Sequence, residues 1–518
     1  MTSWLAARHW SLQTAAAIVF GVLTAAGFAP YSWWPLAIIG PAGLTLIILA
    51  TTKWRFVLLH GYGFGLGLLG LGVGWMQAIF VEAMVALVAI MALNYAVLVV
   101  LLRLAVRTPW WPLTAAAAWT IVEFCFSRFP FDGFGWMRLG YAMVDSPIAW
   151  GLPLYGVAGA GFLTALLGQL LAWVLDAPSR RRILITAIGL VASLGLAGSG
   201  LLISAGPSLG EVRVGWVQGG APGGGVYGLG APRTLTRNHV AESATLAGQI
   251  DAGTLPRPDF VVWPENSTDL DPYHDPETGA LVRQAVARFD LPVLVGTILD
   301  GPGANERQTA SLWWDPAAGE TTRYIKRGIV PFGEWVPLRS LLEPLIPELR
   351  YVGAQSVAGT APGVITPTLP DGRTLRLGVL VCYDLAFDQV VADTVTHGGQ
   401  VLVVQSSNAM YQGTGQIDQQ FAITRARAME LRREILVVTT SGISGLIQPD
   451  GTVTFQTSDH TAASGVVALP QRENVTFTAG YGWLVELALV IAGAVGLGAG
   501  LFYGRMKKHP NESGALHG

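Results

Sequence analysis

Charged residues are scarce in this sequence. Asp, Glu, Lys and Arg make up only 13% of its 518 residues, whereas soluble domains carry about 25%. Hydrophobic residues make up 51% of the chain and its mean hydropathy is +0.46, so a large part of it faces something other than water. The net charge of −2 gives no electrostatic reason to expect a nucleic-acid partner.

Cysteine is almost absent, and the usual metal and nucleotide motifs are missing. Two cysteines, Cys125 and Cys382, cannot build a disulfide framework or a CxxC metal site. The histidines show no HExxH or paired spacing, and there is no Walker A motif. A single GxGxxG match at residues 65–70 lies inside a long apolar run rather than after a strand. We therefore expect no metal and no cofactor.

Long apolar runs dominate the first 205 residues. A membrane-spanning helix needs roughly 20 mostly apolar residues, and the sequence offers seven such runs before a long polar insert and one after it. They are residues 11–30, 34–51, 56–76, 78–102, 110–126, 150–175, 182–205 and 480–504. This pattern predicts a polytopic α-helical bundle of eight spans, with a seven-helix membrane domain at 1–205, an eighth span at 477–505 and a cytoplasmic tail at 506–518.

The basic residues between these runs predict the orientation. Lys and Arg gather in the loops that face the cytoplasm. With the N-terminus inside, all the basic clusters fall on that side, at residues 8, 53–55, 103–107, 180–182 and 505–508. The insert at 206–476 then lies outside the cytoplasm, and both termini lie inside. The outer loop at 127–147 carries Arg138, a candidate for a lipid-phosphate contact, with an interfacial anchor as the alternative.

The insert has the pattern of an α/β domain. Apolar strand-like runs occur at 212–218, 260–263, 292–298, 311–314, 375–381, 401–405 and 435–440, and helical stretches at 235–252, 279–290 and 416–433. Continuous apolar strands that alternate with helices indicate a sheet covered on its faces. The glycine-rich stretch at 219–230 predicts a loop.

Reactive side chains follow three strand-like segments. Glu265 follows FVVW-Pro, Lys326 follows TRYI, and Cys382 follows LGVLV. A thiol needs a base to become a nucleophile, a carboxylate can accept its proton, and an ammonium can stabilise an oxyanion. These residues form a complete acyl-transfer set if they meet in space. Each also has an ordinary alternative: a helix cap for Glu265, a solvated charge for Lys326 and a small buried hydrophobe for Cys382.

The segments around these residues resemble the signature blocks of the nitrilase superfamily. VVWPEN, YIKRGIVPFGEWVP and GVLVCYDLAF occur in that superfamily's order, and the eight predicted spans make the chain similar to its membrane-embedded branch, the apolipoprotein N-acyltransferases. The resemblance implies an αββα sandwich on a membrane bundle. It also implies that Glu265 is the general base, Lys326 the oxyanion-stabilising lysine and Cys382 the nucleophile.

The same resemblance assigns supporting roles. Glu334 matches a glutamate that orients the lysine, and Tyr383 the aromatic residue after the cysteine. Asp384 stands where the family usually has Glu, and the usual serine–asparagine–aspartate block reads Ser406, Ser407, Asn408 here. Asn408 and Trp335 are candidates for substrate or lipid contact. Trp335 opens an apolar, proline-interrupted stretch at 334–351, for which an interfacial lid and ordinary core packing are the alternatives.

By this resemblance, the protein would transfer a fatty acyl chain from a phospholipid to the N-terminal amine of diacylglyceryl-cysteine apolipoproteins in the bacterial cell membrane. A Cys thioester would be the intermediate. Similar actinobacterial members also suggest an association with polyprenol-phosphate mannose synthase. Three alternatives remain: a membrane-tethered carbon–nitrogen hydrolase with the same triad, a transporter or channel with an accessory domain, and a scaffold for another envelope enzyme. Ionisable residues such as Glu82 and Glu123 are sparse in the spans, which argues against transport.

Overall fold

The computed structural model describes residues 2–506 and contains two compact units. One unit joins the N-terminal part of the chain, through Leu202, to the segment that begins at Tyr481, and the other is Ile203–Gly480. The predicted cytoplasmic tail, from residue 507 on, lies outside the described residues.

The first unit consists of helices that follow the apolar runs of the sequence. In chain order, they are α1 (Thr2–Ala6), α2 (Trp10–Ala26), α3 (Leu36–Ala50), α4 (Trp54–Gly72), α5 (Val81–Ala105), α6 (Trp111–Phe126), α7 (Leu152–Asp176), α8 (Arg180–Ser199) and the C-terminal helix (Phe477–Met506). Glycines let α2 and α4 approach closely. A Cβ on Gly21 would lie 2.1 Å from the Phe64 carbonyl oxygen, and one on Gly67 would lie 2.1 Å from that of Ile18. Small residues at such crossings are typical of helix packing in membranes.

Within residues 2–506, four helical segments are long and apolar enough to cross a membrane: Val81–Ala105, Pro147–Asp176, Arg180–Leu202 and Phe477–Tyr503. Three more apolar helices, α2, α3 and α6, are shorter. With 17 residues, α2 is about 26 Å long, slightly less than the ~30 Å hydrocarbon core of a bilayer. The coarse prediction of apolar helices around an α/β domain is confirmed, whereas the number of eight spans stays a prediction.

The second unit contains thirteen strands and five helices among the described residues. The strands are β1 (Glu211–Gln218), β2 (Phe260–Val262), β3 (Val293–Asp300), β4 (Glu306–Asp315), β5 (Gly319–Ile325), β6 (Gln355–Ser356), β7 (Val364–Ile365), β8 (Leu377–Val381), β9 (Val401–Ser406), β10 (Ile435–Thr439), β11 (Gly445–Ile447), β12 (Val453–Gln456) and β13 (Ala463–Pro470). The helices are α9 (Thr234–Asp251), α10 (Pro276–Phe289), α11 (Arg339–Leu342), α12 (Asp388–Thr396) and α13 (Gly415–Leu431).

The strands form two sheets that pack face to face. The first has the order β13-β1-β2-β3-β4-β5 with β6 beside β4, and the second has the order β12-β11-β10-β9-β8-β7. Phe260 and Val262 of the first sheet share one core with Val379 and Val403 of the second. The alternate side chains, such as Val261, point the other way, into a second core with α9 and α10. This is the αββα sandwich that the sequence predicts.

The predicted strands and helices of this unit agree with the structure to within a few residues, except that the strand predicted at 311–314 extends from Glu306 to Asp315. Five short or half-exposed strands, β6, β7, β11, β12 and β13, were not predicted, and neither were the short helices α11 and α12. In β13 most side chains are half-buried, so the continuous apolar run that marks a central strand is missing. Its partner β1 supplies the register instead, with Glu211 opposite Pro470 and Gln218 opposite Ala463.

Candidate active site

Cys382 lies at the carboxyl end of a central strand of the second sheet. All five residues of β8 are buried, and the chain turns at Cys382 into a short 3₁₀ helix that ends at Ala386. The backbone of Cys382 has a φ of +48°, a left-handed conformation that costs a non-glycine residue about 1–3 kcal/mol and is found most often at functional sites. The turn leaves the thiol half-buried, at the edge of the sandwich core.

Glu265 and Lys326 lie at one edge of the first sheet. Glu265 follows β2, Lys326 follows β5, and two antiparallel pairings through β4 make β5 run in the same direction as β2 and β3. Strands that run the same way end at the same edge, and the two side chains meet there. Nζ of Lys326 lies 2.9 Å from Oε1 of Glu265, and both side chains are at least 96% buried.

Glu334, whose side chain is 16% exposed, completes a cluster of one ammonium and two carboxylates. Its Oε1 lies 2.9 Å from Nζ of Lys326, and its Oε2 accepts a hydrogen bond of 2.8 Å from the backbone N–H of Val330. Glu265 is held in a similar way, because its Oε2 accepts a 2.9 Å bond from the N–H of Ser407. Backbone donors thus fix the carboxylates, and the carboxylates fix the lysine between them.

The charges of this cluster act on the thiol of Cys382. Burial raises the pKa of Cys382 well above the ordinary range of a thiol, and the negative charge of Glu265 raises it further. The Lys326 ammonium and a hydrogen bond from the side chain of Gln420 act in the opposite direction. Burial lowers the pKa of Lys326, but Glu265 and Glu334 outweigh it and hold that pKa well above its usual value. The resting site therefore contains a protonated thiol beside a charged lysine.

Asp384 and Tyr383, which follow the cysteine, are both buried. One carboxylate oxygen of Asp384 accepts a hydrogen bond of 2.6 Å from the N–H of Gly328, and the other accepts bonds of 2.9 Å from the Tyr324 hydroxyl and the Val381 N–H. Burial raises the pKa of Asp384, and these donors oppose the shift. The shorter aspartate side chain thus connects the turn at Cys382 to the segment after Lys326. Tyr383 packs edge-on against Phe387.

The three residues predicted to contact substrate or lipid lie in different surroundings. Trp335 is half-buried in the turn that follows Glu334, and its carbonyl accepts a 2.7 Å bond from the Phe332 N–H. Asn408 is 6% exposed and has a left-handed φ of +52°, close after Ser407. Arg138 belongs to the other unit, is 1% exposed and donates to Glu486 of the C-terminal helix at 2.8 Å. A buried, ion-paired Arg138 does not have the geometry of a surface lipid contact or of an interfacial anchor.

Sequence reasoning missed several groups around the cluster. The N–H groups of Ser407 and Val330 are backbone donors, so no side-chain pattern marks them. Thr440 donates to the carbonyl of Glu265 at 3.0 Å, from the end of β10. Tyr411 lies close enough to the cluster for Cys382 and Glu334 to raise its pKa, although burial is the largest cause. These contacts depend on how the two sheets face each other, and no local motif records that arrangement.

The described residues also include one group with the geometry of a cation site, away from the triad in sequence. Asp271, His274 and Asp300 place their ligand atoms within 4.8 Å of one another. His274 already pairs with both carboxylates, at 3.2 Å and 2.7 Å, and its side chain and that of Asp300 are exposed. A histidine and two carboxylates that satisfy one another do not require a metal.

The site and the fold agree with the chain's similarity to known proteins. Residues 240–476 match the family model of carbon-nitrogen hydrolases, and residues 20–170 match that of the apolipoprotein N-acyltransferase N-terminal domain. The chain is 32% identical to an apolipoprotein N-acyltransferase of Mycolicibacterium smegmatis, over 92% of this chain and 83% of the relative. It is 28% identical to the enzyme of the same name in Methylococcus capsulatus, over 84% and 86%.

A solved amidase structure from Nesterenkonia sp. aligns with 52% of this chain and 95% of its own, at 18% identity and a TM-score of 0.36. The sandwich unit thus contains a carbon–nitrogen hydrolase domain. The chain as a whole belongs to the apolipoprotein N-acyltransferase family.

Proposed function

We propose that this protein transfers a fatty acyl chain from a membrane phospholipid to the N-terminal amine of diacylglyceryl-cysteine apolipoproteins, the last step of bacterial lipoprotein maturation. One observation carries the mechanism: the Lys326 ammonium is held between Glu265 and Glu334, next to a thiol on a left-handed turn. This arrangement supplies a nucleophile, a base and an oxyanion stabiliser without a histidine or a cofactor.

In the first step, Glu265 takes the proton from the Cys382 thiol as the sulfur attacks the sn-1 ester carbonyl. The raised pKa of Cys382 means that a base must remove this proton at neutral pH. The C–S bond forms, and Lys326 stabilises the negative charge on the carbonyl oxygen. The ester C–O bond then breaks, Glu265 returns the proton to the leaving oxygen, and a lysophospholipid departs. A thioester remains on Cys382.

In the second step, the amine of the apolipoprotein attacks the thioester carbonyl. Glu265 accepts a proton from the nitrogen, Lys326 again stabilises the oxyanion, and the C–S bond breaks as the amide forms. The sulfur regains its proton from Glu265. Glu334 takes no part in these proton transfers: its carboxylate holds Lys326 from the side opposite the base.

The stretch from Glu334 to Tyr351 supports a lipid substrate. Leu338, Leu341 and Leu345 have 61%, 61% and 72% of their surface exposed. Ordinary core packing would bury these leucines, so their exposure favours the alternative in which this stretch covers the site and touches the membrane surface. The cluster and the apolar stretch are continuous in sequence, because Glu334 begins the stretch.

The thioester provides the direct test. The full-length protein in detergent micelles is incubated with a phospholipid labelled in its sn-1 acyl chain, and the protein is isolated under denaturing conditions. We expect a labelled adduct that hydroxylamine removes, and we expect the label to move to the N-terminus of an added diacylglyceryl peptide. The Cys382→Ser variant should form neither product.

Cys125→Ser is the matched control, because it removes the other thiol from the exposed side of α6. It should leave the adduct and the transfer unchanged. If Cys382→Ser kept the adduct and the activity, the nucleophile assignment would be wrong. The competing function, an amidase that uses the same residues with water as acceptor, predicts instead rapid loss of the adduct without a peptide and hydrolysis of simple amides.

The proposed setting is the bacterial cell membrane, crossed eight times, with both termini in the cytoplasm and the catalytic unit outside. Fluorescent reporters fused to either terminus should be active inside the cell, and a protease added to spheroplasts should cleave only the unit at 206–476. The proposed association with polyprenol-phosphate mannose synthase is tested by co-purification from membranes, with Cys382→Ser as bait to separate binding from catalysis.

A further inference from the structure

Arg307 is a cation close to the catalytic cluster that the proposed mechanism does not use. It lies on β4, two residues before Thr309, whose carbonyl accepts a 2.9 Å bond from the N–H of Lys326. Its side chain is half-buried. Burial lowers the pKa of Arg307, and the charges of Glu334 and Glu265 oppose the shift, so both carboxylates lie within electrostatic range of the guanidinium.

Despite these neighbours, Arg307 forms no ion pair within residues 2–506. Its Nε donates to the Ser356 hydroxyl at 3.0 Å, and that bond sets the orientation of the guanidinium. The two terminal nitrogens have no hydrogen-bond partner in the part of the chain that the structure describes. A guanidinium fixed at one edge presents its remaining N–H donors in the fork geometry that suits a phosphate or a carboxylate.

The sum of the charges around the catalytic cluster indicates a role for Arg307. Lys326 contributes one positive charge and is bound to two carboxylates, so the cluster alone is net negative when both are ionised. An anionic substrate would be repelled by such a site. Arg307 brings the sum of the four charges to zero and leaves its own N–H groups free to receive the anion.

The position of Arg307 also fits an amphiphile. Its strand partner is Ser356 of β6, which directly follows the exposed apolar stretch, and the Ser356 N–H donates to the carbonyl of Glu334 at 2.9 Å. The cation therefore lies at the base of the apolar stretch, beside the catalytic cluster. A molecule with fatty chains, an ester and an anionic group near that ester would match the apolar stretch, the catalytic cluster and Arg307, respectively.

We propose that Arg307 binds the phosphodiester of the acyl-donor phospholipid and so selects donors with a phosphate near the reacting ester. This inference rests on the proposed function and names the group that recognises its donor. Arg307 touches the donor's phosphate rather than the reacting carbonyl, so its loss should weaken donor binding more than it slows acyl transfer from the thioester to the peptide.

The experiment compares two donors of equal chain length, phosphatidylglycerol and 1,2-diacylglycerol, in mixed micelles with full-length protein. For wild type and for Arg307→Gln and Arg307→Lys, the rate of thioester formation is measured against donor concentration. With phosphatidylglycerol, we expect Arg307→Gln to lower the rate at low donor concentration about 10- to 100-fold, the usual effect of losing a hydrogen bond between charged groups. Arg307→Lys should recover part of that loss.

With diacylglycerol, Arg307→Gln should react within about twofold of wild type, because this donor has no phosphate to lose. That arm also shows that the variant is folded. Arg323→Gln is the matched control: Arg323 lies on the neighbouring strand β5 but is paired with Glu320 at 2.5 Å, and it should behave as wild type with both donors.

The proposal is overturned if Arg307→Gln slows both donors equally, or if it slows neither. It is also overturned if Arg307→Lys is no better than Arg307→Gln while both remain active on diacylglycerol. Failure of the proposed function is distinguishable from these results, because wild-type protein would then form no hydroxylamine-sensitive adduct from phosphatidylglycerol at all.

Discussion

Each of the two units buries a cluster of opposite charges, and the clusters are built differently. In the helical unit, one carboxylate, Glu486, receives the guanidinium groups of both Arg128 and Arg138. In the sandwich unit, one ammonium, Lys326, is held by two carboxylates, Glu265 and Glu334. The first cluster is centred on a carboxylate and the second on an ammonium.

The two clusters differ in what surrounds them: the first joins two segments of the helical unit, and the second lies near a thiol. Arg138 and Glu486 are each only a few per cent exposed, and they join the loop after α6 to the C-terminal helix. A buried pair of this kind is costly to break. The Lys326 cluster has, in addition, a neighbouring thiol whose pKa its charges shift and a second cation, Arg307, within range. A carboxylate near a thiol can serve as a base, whereas the Arg138–Glu486 pair joins two segments of the helical unit.

Among the changes that test this difference, the largest loss of activity is expected at Glu265. Glu265→Gln removes the base and should lower acyl transfer about 10²- to 10⁴-fold. The same change removes a negative charge that raises the pKa of Cys382, so the pKa of the thiol should fall. Alkylation by iodoacetamide, measured against pH in a Cys125→Ser background, should then shift to lower pH. A shift to higher pH, or none, would contradict the assignment of Glu265 as the residue that controls the thiol.

Lys326→Met should have the next largest effect. It removes the oxyanion stabiliser, which is typically worth about 10²- to 10³-fold in rate, and it leaves Glu265 and Glu334 buried without their cation. Loss of one partner of a buried ion pair costs about 3–5 kcal/mol, so thermal unfolding should also occur at lower temperature. The double variant Lys326→Met/Glu334→Gln should recover part of the lost stability and none of the activity. Recovery of activity would contradict the proposed role of Lys326 as the oxyanion stabiliser.

Glu486→Gln tests the other cluster. It removes the Glu486 carboxylate that pairs with the buried Arg138, and we expect a loss of stability of about 3–5 kcal/mol. The rate per folded molecule should change less than about twofold, because neither residue belongs to the catalytic cluster. Thermal unfolding and adduct formation, measured on the same micelle preparation, separate the two effects. A catalytic defect without a loss of stability would mean that this cluster also serves the reaction.

The smallest effect is expected at Tyr324. Tyr324→Phe removes one of the three hydrogen bonds to Asp384, which is worth about 1.5–3 kcal/mol when the acceptor is charged. The backbone donors Val381 and Gly328 remain, so activity should fall only a few-fold. Asp384→Asn presents an uncharged amide to the same donors. It should therefore lower both the rate of adduct formation and the unfolding temperature more than Tyr324→Phe does. The reverse order would show that Asp384 does not act as the acceptor for these donors.

The sequence predicted the parts of the fold that depend on local pattern. Buried central strands such as β8 and β10 appear as continuous apolar runs, and amphipathic or capped helices such as α10 follow from their periodicity. Half-exposed edge strands such as β13 lack that signal, because their alternation is weak and their pairing partner is far away in sequence. The helices of the membrane unit were located from hydropathy, but whether α2, α3 and α6 cross a bilayer depends on more than their own length.

Local sequence pattern also predicted part of the candidate site. Glu265, Lys326 and Cys382 each follow a strand, and their residue types make a possible acyl-transfer set. The resemblance to the nitrilase superfamily, rather than their positions, joined them into one predicted triad. The contacts of Arg138 and Asp384 could not be predicted from the sequence. Arg138 was a candidate for a lipid-phosphate contact or an interfacial anchor, and it is buried against a helix 348 residues later. Asp384 was noted only as standing where the family usually has Glu, and it is held by Gly328, Val381 and Tyr324.

By itself, the sequence determined the apolar character of the helices, the α/β class of its insert and the positions of three residues whose chemistry suits acyl transfer, because hydropathy, periodicity and residue chemistry are local properties. Only the tertiary structure decided which charges face which. It placed Lys326 between two carboxylates, set Arg307 at the base of the apolar stretch without an ion pair to any described residue, and paired Arg138 with Glu486. Electrostatic energies depend on distance and burial, and the spacing of residues along the chain contains neither.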